Sequence, residues 1–259
     1  MDASGSNGGG TILIGGDSQG KNLNVQDAET TNVGQDVIIR ANAAETGNGG
    51  KVVLWANDTT GFYGSISAKG GANGGDGGTA EVSGKQTLVY EGTTDLSAAA
   101  GKTGNLLLDP LDFTIGVDVT GANLGAMLGS ANVTIQTGAT GNQVGNITVS
   151  DSVSWSSTNT LTLNAYHDID VNNAISNSGG GSLVLRADAT GTGSGNVFFA
   201  GLGHVSLTGG GTASIYYNPP GGYAAPTNYA GYFSGVTPTA FMLVNCRNST
   251  MRNSVCWTG

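Results

Sequence analysis

The chain has 259 residues, 46 of them glycine, and only 10% of its residues are charged. Its formal net charge of −9 and its 9 basic residues argue against nucleic-acid binding, because phosphates require a basic surface. It lacks an apolar run of the ~18 residues that a membrane-spanning helix needs, so we expect no membrane insertion. Glycine-rich disorder is also disfavoured, because 38% of the residues are hydrophobic and the apolar runs are β-branched.

One phrase recurs along the chain: a glycine pair or near-pair, one small polar residue, and a short apolar run. It occurs at residues 9–14, 49–54, 77–82, 104–108, 145–149, 180–185 and 195–199. Glycine permits a tight corner with positive φ, and the apolar run supplies a short strand. Repetition of a corner and a strand predicts a β-solenoid in which each strand stacks on the one a coil earlier.

Residues 1–115 are predicted to form a β-helix segment with a regular coil. Ile38, Val52, Ile66 and Ala80 follow one another at equal intervals. Two such intervals, as from Val52 to Ala80, make one coil with two main strands per turn. The spacing from Gly50 to Gly78 and from Gly78 to Gly104 is similar, with small changes that extra corner residues can absorb.

The remaining chain divides into three predicted segments. Residues 116–130 interrupt the rhythm, and the spacing of Leu124, Met127 and Leu128 indicates a short helical or loop excursion covering an edge of the core. Residues 131–216 resume the β-helix with clean apolar–polar alternation and a shorter coil, from Leu161 to Leu183. Residues 217–259 are predicted to be an irregular loop rich in Pro, Gly and Tyr, followed by a tail that contains both cysteines.

Several phrases together resemble the passenger region of filamentous-haemagglutinin-like exoproteins. They are GGTILIGGD at 9–17, GKVVLWA at 50–56, FYGSISAKGG at 62–71, VSGK at 82–85, LLLDP at 106–110 and NAYHDI at 164–169. The resemblance implies an all-β, right-handed parallel β-helix. It also implies two-partner secretion through an outer-membrane β-barrel transporter, and adhesion at the bacterial cell surface. Because neither a signal peptide nor the family's secretion domain is recognisable, we expect an internal or C-terminal fragment of a larger protein.

The two cysteines, Cys246 and Cys256, could form a disulfide in a secreted protein. A disulfide that closes this ten-residue loop would stabilise the fold by about 2–3 kcal/mol, if its effect is to reduce the entropy of the unfolded chain. Some two-partner adhesins are similar in using a terminal cysteine pair to remain on their transporter. The alternative is two incidental thiols. Metal binding is less favoured, because neither histidine lies nearby in the sequence.

One group of residues could support catalysis. Asp168 and Asp170 flank Ile169, so both carboxylates would project from one strand face about 6–7 Å apart, with His167 beside them. Carbohydrate-active β-helix enzymes, lyases or glycosidases, use carboxylates on such a face. The alternative, which we favour, is a solvated face or turn, because no second cluster reinforces the first.

The sequence therefore predicts a structural and adhesive segment rather than an enzyme, with no cofactor or metal, and with a host-surface, bacterial-surface or polysaccharide ligand. A polysaccharide lyase or glycosidase is the alternative function. Trp55, Phe62 and Tyr63 could form an exposed aromatic strip for sugars, but we expect them to pack in the core or at a corner.

Overall fold

The computed structural model describes residues 1–139, 143–191, 193–219, 227–244 and 255–256. The chain divides into two compact units. The first comprises Met1–Pro110 and Val117–Thr134, and the second comprises Leu111–Gly116 and Ile135–Gly259. Throughout the described residues the paired strands run parallel, and the antiparallel contacts are isolated bridges.

The described residues of the first unit contain three sheets built from strands that we number in chain order. The first sheet holds β1 (Thr11–Ile14), β4 (Lys51–Ala56), β7 (Thr79–Gly84) and β10 (Asn105–Leu108). The second holds β2 (Thr30–Val33), β5 (Thr59–Phe62) and β8 (Thr87–Tyr90). The third holds β3 (Ile38–Arg40), β6 (Ser65–Ser67) and β9 (Thr93–Asp95). Strand β12 (Asn132–Gln136) contains the boundary between the units.

The predicted coil length is confirmed, but the expectation of two strands per turn is wrong. Val52 of β4 pairs with Ala80 of β7, as their spacing predicts. At the corner before these strands, Asn48 and Asp76 are joined by a hydrogen bond and lie 28 residues apart. Each such coil crosses all three sheets, so it contains three strands. Between Phe62 and Ser65 the chain turns a corner, so this segment contributes the end of β5 and then β6.

Apolar side chains alternate with polar ones and fill the interior of the first unit. In the first sheet, Val52, Ala80 and Leu106 are buried and in register. In the second sheet, the rings of Phe62 and Tyr90 are fully buried with centroids 5.0 Å apart. Burial raises the pKa of the Tyr90 hydroxyl, which bonds to Thr94. Full burial of each large side chain stabilises the fold by about 1.5–3 kcal/mol.

The predicted helix is present as α1 (Gly121–Leu128), the one α-helix among the described residues. Its N-cap is Thr120, whose hydroxyl accepts a hydrogen bond from the Asn123 N–H at 3.1 Å. Leu124, Met127 and Leu128 are buried, as their spacing predicts. Backbone bonds from Tyr90 to Asp118 and from Leu96 to Ser130 show that the 117–131 segment covers the edge strands β8 and β9.

The described residues of the second unit also contain three parallel sheets. The first holds β15 (Leu161–Asn164), β18 (Leu183–Arg186), β21 (Ala213–Tyr217), β23 (Thr239–Val244) and β24 (Val255–Cys256). The second holds β11 (Phe113–Ile115), β13 (Ile147–Val149), β16 (Ile169–Val171) and β19 (Val197–Phe199). The third holds β14 (Val153–Trp155), β17 (Ala174–Asn177), β20 (His204–Leu207) and β22 (Phe233–Ser234).

The coils of the second unit differ in length. Leu161 pairs with Leu183, which confirms the predicted shorter step, but the next step, from Leu183 to Ala213, is longer. Ser182 and Thr212, which bond to each other across that longer coil, are 30 residues apart.

The last part of the chain contains more regular structure than the sequence predicts. Within 217–259, where we expect a loop and a tail, the described residues include β22, β23, β24 and a short 3-10 helix at Ala230–Tyr232. Strand β23 pairs with β21, so the first sheet continues past the Pro-, Gly- and Tyr-rich segment. Both units are all-β parallel β-helices, as the sequence predicts.

Glycine shapes the corners of the first unit by permitting close approach of the backbone. The N–H of Gly78 donates to the carbonyl of Ala68 at 2.7 Å, which closes one corner within its coil. Gly49 lies against that same carbonyl, and a Cβ on Gly49 would collide with it. Gly49 and Gly78 do not have positive φ, so the positive φ expected from the sequence is not the reason for glycine at these two positions.

Candidate functional site

A ladder of Asp and Asn side chains runs along one corner of the second unit. Asp112, Asn146, Asp168 and Asn196 each precede a strand of the sheet β11–β13–β16–β19. Asp112 Oδ1 accepts from the Asn146 N–H at 2.8 Å, and Asn146 Oδ1 accepts from the Asp168 N–H at 3.1 Å. Asp168 Oδ1 in turn accepts from the Asn196 N–H at 2.7 Å. The side chains of Asp112, Asn146 and Asp168 therefore each satisfy a backbone donor of the next coil.

The structure brings the three predicted catalytic candidates together. Asp168 Oδ2 lies 2.9 Å from His167 Nδ1, although the two groups are not oriented for a hydrogen bond. Asp170 faces outward from β16 between Thr148 and Phe198 of the neighbouring strands. Partial burial raises the pKa of Asp170; the negative charge of Asp168 raises it further, and His167 opposes the shift.

This arrangement favours a structural role for Asp168. One of its carboxylate oxygens is used in the corner ladder, and the ladder is continued by asparagine at neighbouring positions. The outward row through Asp170 is otherwise formed by Thr114, Thr148 and Phe198. Among the described residues, the charges that act on the Asp170 carboxyl are those of Asp168 and His167, without an arginine.

The predicted disulfide lies outside the described residues. Cys246 falls in the undescribed segment 245–254, and only the backbone of Cys256 is described, as part of β24. The pairing of Cys246 with Cys256 stays a prediction.

The aromatic residues considered as a sugar-binding strip are largely buried. Trp55 is 5% exposed and Phe62 is fully buried, whereas Tyr63 is half-buried at the corner after β5. Phe62 therefore packs in the core and Tyr63 lies at a corner, as expected, whereas Trp55 lies on the outer face of β4 and is buried there.

A feature that the sequence did not reveal is an arm, residues 15–28, in the first coil. Thr11 of β1 pairs with Lys51 of β4, and Lys51 pairs with Thr79 of β7, so the first coil is much longer than the second. A short 3-10 helix at Ser18–Gly20 lies in the arm and contacts β4. The available signal was the unequal spacing of the first glycine phrases, at 9–14, 49–54 and 77–82.

Polar contacts hold the arm against the outer face of the first sheet. Lys51 Nζ lies 2.8 Å from Asp17 Oδ1, and hydrogen bonds from Lys51, Asn22 and the Ser18 N–H hold the pKa of Asp17 well below its usual range. The backbone N–H of Gln19 donates a hydrogen bond to Glu81 Oε1, on the outer face of β7, at 2.8 Å. The arm is thus attached to both β4 and β7.

The side chain of Gln19 adds a third attachment. Its amide donates a hydrogen bond to Asp109 Oδ2 at 2.7 Å, just beyond the end of β10. One residue of the arm therefore contacts two successive coils, since its backbone bonds Glu81 of β7.

The arm covers part of the outer face of β4 and β7. Val53 and Ser83 are fully buried, although both alternate with core residues and so face outward. Three buried atoms in this region have no hydrogen-bond partner among the described residues: Trp55 Nε1, Ser83 Oγ and Asp27 Oδ1. A Cβ on Gly16 would lie 2.5 Å from Trp55 Cδ1 and 2.6 Å from Asp27 Oδ1, so the arm packs tightly on the indole.

A groove of about 250 Å³ opens beside the arm on the outer face of the first sheet. Ser18 of the arm forms part of its wall. The groove combines hydrogen-bond donors and acceptors with aliphatic surface. Its lining includes Lys51, Thr79 and Asn105 in one row and Val53, Glu81 and Leu107 in the next.

In sequence comparison the chain matches no protein-family model and no curated protein. The fold is that of a β-solenoid, consistent with the passenger of a β-helical adhesin. No helix in the described part of the chain is long and apolar enough to cross a membrane. Those residues also contain no group of three or more His, Cys, Asp or Glu side chains arranged to hold a metal ion.

Proposed function

We propose that the protein is a structural and adhesive segment of a secreted bacterial surface exoprotein. The observation that carries this proposal is the chemistry of the outward rows on the stacked strands. Thr30, Thr59 and Thr87 form one such row, in register on β2, β5 and β8. Such rows offer hydroxyl groups at the repeat of ~4.8 Å on a backbone that is fixed by the sheet hydrogen bonds.

A stalk or contact surface needs this kind of regular polar exterior, whereas an enzyme needs several ionisable groups convergent on one cleft. The corner ladder supports the first alternative, because it gives Asp168 a structural use. We further propose the filamentous haemagglutinin type, with export by the two-partner route through an outer-membrane β-barrel transporter. The support is the set of sequence phrases named above, each of which includes residues of a strand in the parallel β-helices.

Adhesion can be tested with beads coated with the purified protein and applied to epithelial cells, to bacteria and to immobilised matrix polysaccharide. We expect retention on at least one of these surfaces, above that of beads coated with an unrelated globular protein. The variant Asp170→Asn should be retained equally well, because its carboxylate has no part in adhesion. Beads that are retained on none of the surfaces would contradict the proposal.

One observation favours the alternative of a carbohydrate-active enzyme. Asp170 has a raised pKa beside the hydrogen-bonded Asp168, and two carboxylates in different environments can act as acid and base. This alternative predicts that the protein shortens a polysaccharide and that Asp170→Asn abolishes the reaction.

A further inference from the structure

The groove beside the arm is formed by two adjacent rows of outward side chains in the first unit. Register places Val53, Glu81 and Leu107 side by side on β4, β7 and β10. Neighbouring strands are about 4.8 Å apart, so a row of three spans about 10 Å. Glu81 therefore lies between two aliphatic residues, on the outside of the β-helix.

Glu81 is only 6% exposed, which is unusual for a charged side chain. Its described hydrogen bond is the one from the Gln19 N–H to Oε1, and the ion pairs of the described residues do not include it. A carboxylate can accept about four hydrogen bonds. Glu81 therefore has acceptor sites left for a ligand in the groove. Hydrogen bonds to these sites would offset the cost of burying the carboxylate.

The second row supplies complementary groups. Lys51, Thr79 and Asn105 are in register beside the first row, and the side chains of Thr79 and Asn105 are exposed. These residues can donate hydrogen bonds to an oxygen, and Thr79 and Asn105 can also accept them. A ligand that fits both rows has hydroxyl groups along its edges and C–H groups on one face.

Size and charge narrow the class of ligand. A volume of about 250 Å³ is slightly below the ~300 Å³ lower bound for pockets that take drug-sized molecules, so it suits a ring-sized group. The Lys51 ammonium is already paired with Asp17, and Glu81 adds a negative charge. The chain as a whole carries a charge of −9. An anionic sugar would therefore be repelled.

We propose that this groove binds one neutral pyranose residue of a glycan. Glu81 and Asn105 bond its hydroxyl groups, and Leu107 contacts the C–H face of its ring. This inference rests on the proposed adhesive function and names its ligand class and its site. The arm positions the groove, because Gln19 holds Glu81 and Ser18 forms part of the wall.

The experiment uses the full chain on an array of immobilised neutral, uronic-acid-containing and sulfated saccharides, followed by calorimetric titration with the neutral saccharides that bind. The variants are Glu81→Gln, which keeps the shape of the side chain, and Asn105→Ala, whose exposed position makes loss of folding no concern. The matched control is Asp95→Asn, the same carboxylate-to-amide change on the outer face of the same unit, away from the groove. Circular dichroism checks that each variant is folded.

We expect binding to neutral saccharides that weakens about tenfold or more in Glu81→Gln and Asn105→Ala. Binding by Asp95→Asn should stay within about twofold. Binding to none of the saccharides, binding only to anionic ones, or equal binding by wild type and both groove variants would each overturn the proposal. Bead retention measured in parallel separates the two proposals. If beads coated with the groove variants are retained as well as wild-type beads, the groove is refuted as the site, but the adhesive function stands. If wild-type beads are not retained, the adhesive function is refuted.

Discussion

The two units turn the same kind of coil with different regularity, although both use close glycine contacts and Asp or Asn side chains at their corners. In the first unit, hydrogen-bonded corner residues of successive coils are 28 and 26 residues apart, and backbone contacts at the corners require glycine. In the second unit, residues that bond from one coil to the next are 22 residues apart in one place and 30 in another. One corner of that unit carries the ladder from Asp112 to Asn196.

This difference in coil spacing makes the first unit easier to recognise in the sequence. Where a Cβ would collide with a carbonyl, only glycine fits, so glycine recurs at a regular interval in the sequence. Where a side-chain oxygen must accept a hydrogen bond, Asp and Asn serve equally, and the loop between them can vary in length. The following predictions test this contrast.

The largest effect is expected from Gly49→Ala. The new Cβ would lie 2.5 Å from the Gly78 nitrogen as well as colliding with the Ala68 carbonyl, so the corner must move. We expect a loss of about 3 kcal/mol in the free energy of unfolding, measured by urea denaturation with circular dichroism. Gly34→Ala is the control, because a Cβ on Gly34 would meet no atom within 4 Å. It should change the free energy of unfolding by no more than about 0.5 kcal/mol. Equal effects of the two changes would refute the role of close approach.

The next effect is expected at the ladder of the second unit. Asp168→Ala removes the acceptor of the Asn196 N–H and should reduce the free energy of unfolding by about 1–2 kcal/mol. Asp168→Asn keeps an oxygen at the same place, as Asn146 does one coil earlier, and should cost less than half as much. An asparagine variant as unstable as the alanine variant would show that the charge, rather than the ladder bond, is what matters.

The two buried tryptophans provide a matched pair across the units. Trp155 is 4% exposed and donates from Nε1 to the Asn159 carbonyl at 2.9 Å. Trp55 is 5% exposed and its Nε1 has no partner among the described residues. Replacement by phenylalanine should therefore cost about 1 kcal/mol more at Trp155 than at Trp55, in the same denaturation experiment. A larger cost at Trp55 would contradict the expectation that the Trp155 hydrogen bond decides the difference.

The smallest effect is a pH dependence of opposite sign in the two units. In the first unit, burial alone would raise the pKa of Asp95, but hydrogen bonds from Lys69 and Ser97 outweigh it and lower that pKa. Its ionised form then stabilises the fold above the unfolded pKa of about 3.9, and this is lost as the pH falls through the lower folded pKa. In the second unit, the raised pKa of Asp170 means that ionisation destabilises the fold as the pH rises above about 4.

Melting temperatures at pH 7 and pH 3 should reveal this difference. Asp95→Asn should lower the melting temperature at pH 7 and have less effect at pH 3. Asp170→Asn should raise it at pH 7 and have less effect at pH 3. The shifts are small because both side chains are partly exposed to solvent. The same sign of change for both variants at pH 7 would contradict the assignment.

The sequence predicts much of the fold because the interior of each coil follows local rules. The step from Val52 to Ala80, the alternation of strands such as Leu161–Asn164 and the helix at Gly121–Leu128 are all visible as patterns. The third strand per coil was missed because strands such as Ser65–Ser67 contain one buried residue each, which is too short a run to be distinguished from a corner.

The candidate site was harder to predict, because it depends on contacts distant in sequence. Glu81 appears in the sequence as one ordinary outward residue of a strand. Its burial comes from Gln19, 62 residues earlier, and from the arm that carries Gln19. Asp168 and Asp170 looked reactive because they flank one strand residue, but the ladder partners Asn146 and Asn196 are 22 and 28 residues away from Asp168.

The most direct test of the account is to incubate the protein with a panel of polysaccharides and to measure, for each, the protein retained and the reducing ends released. We expect at least one neutral polysaccharide to retain the protein and to stay intact, with Asp170→Asn behaving as the wild type does. Release of reducing ends by the wild type, and not by Asp170→Asn, would contradict it.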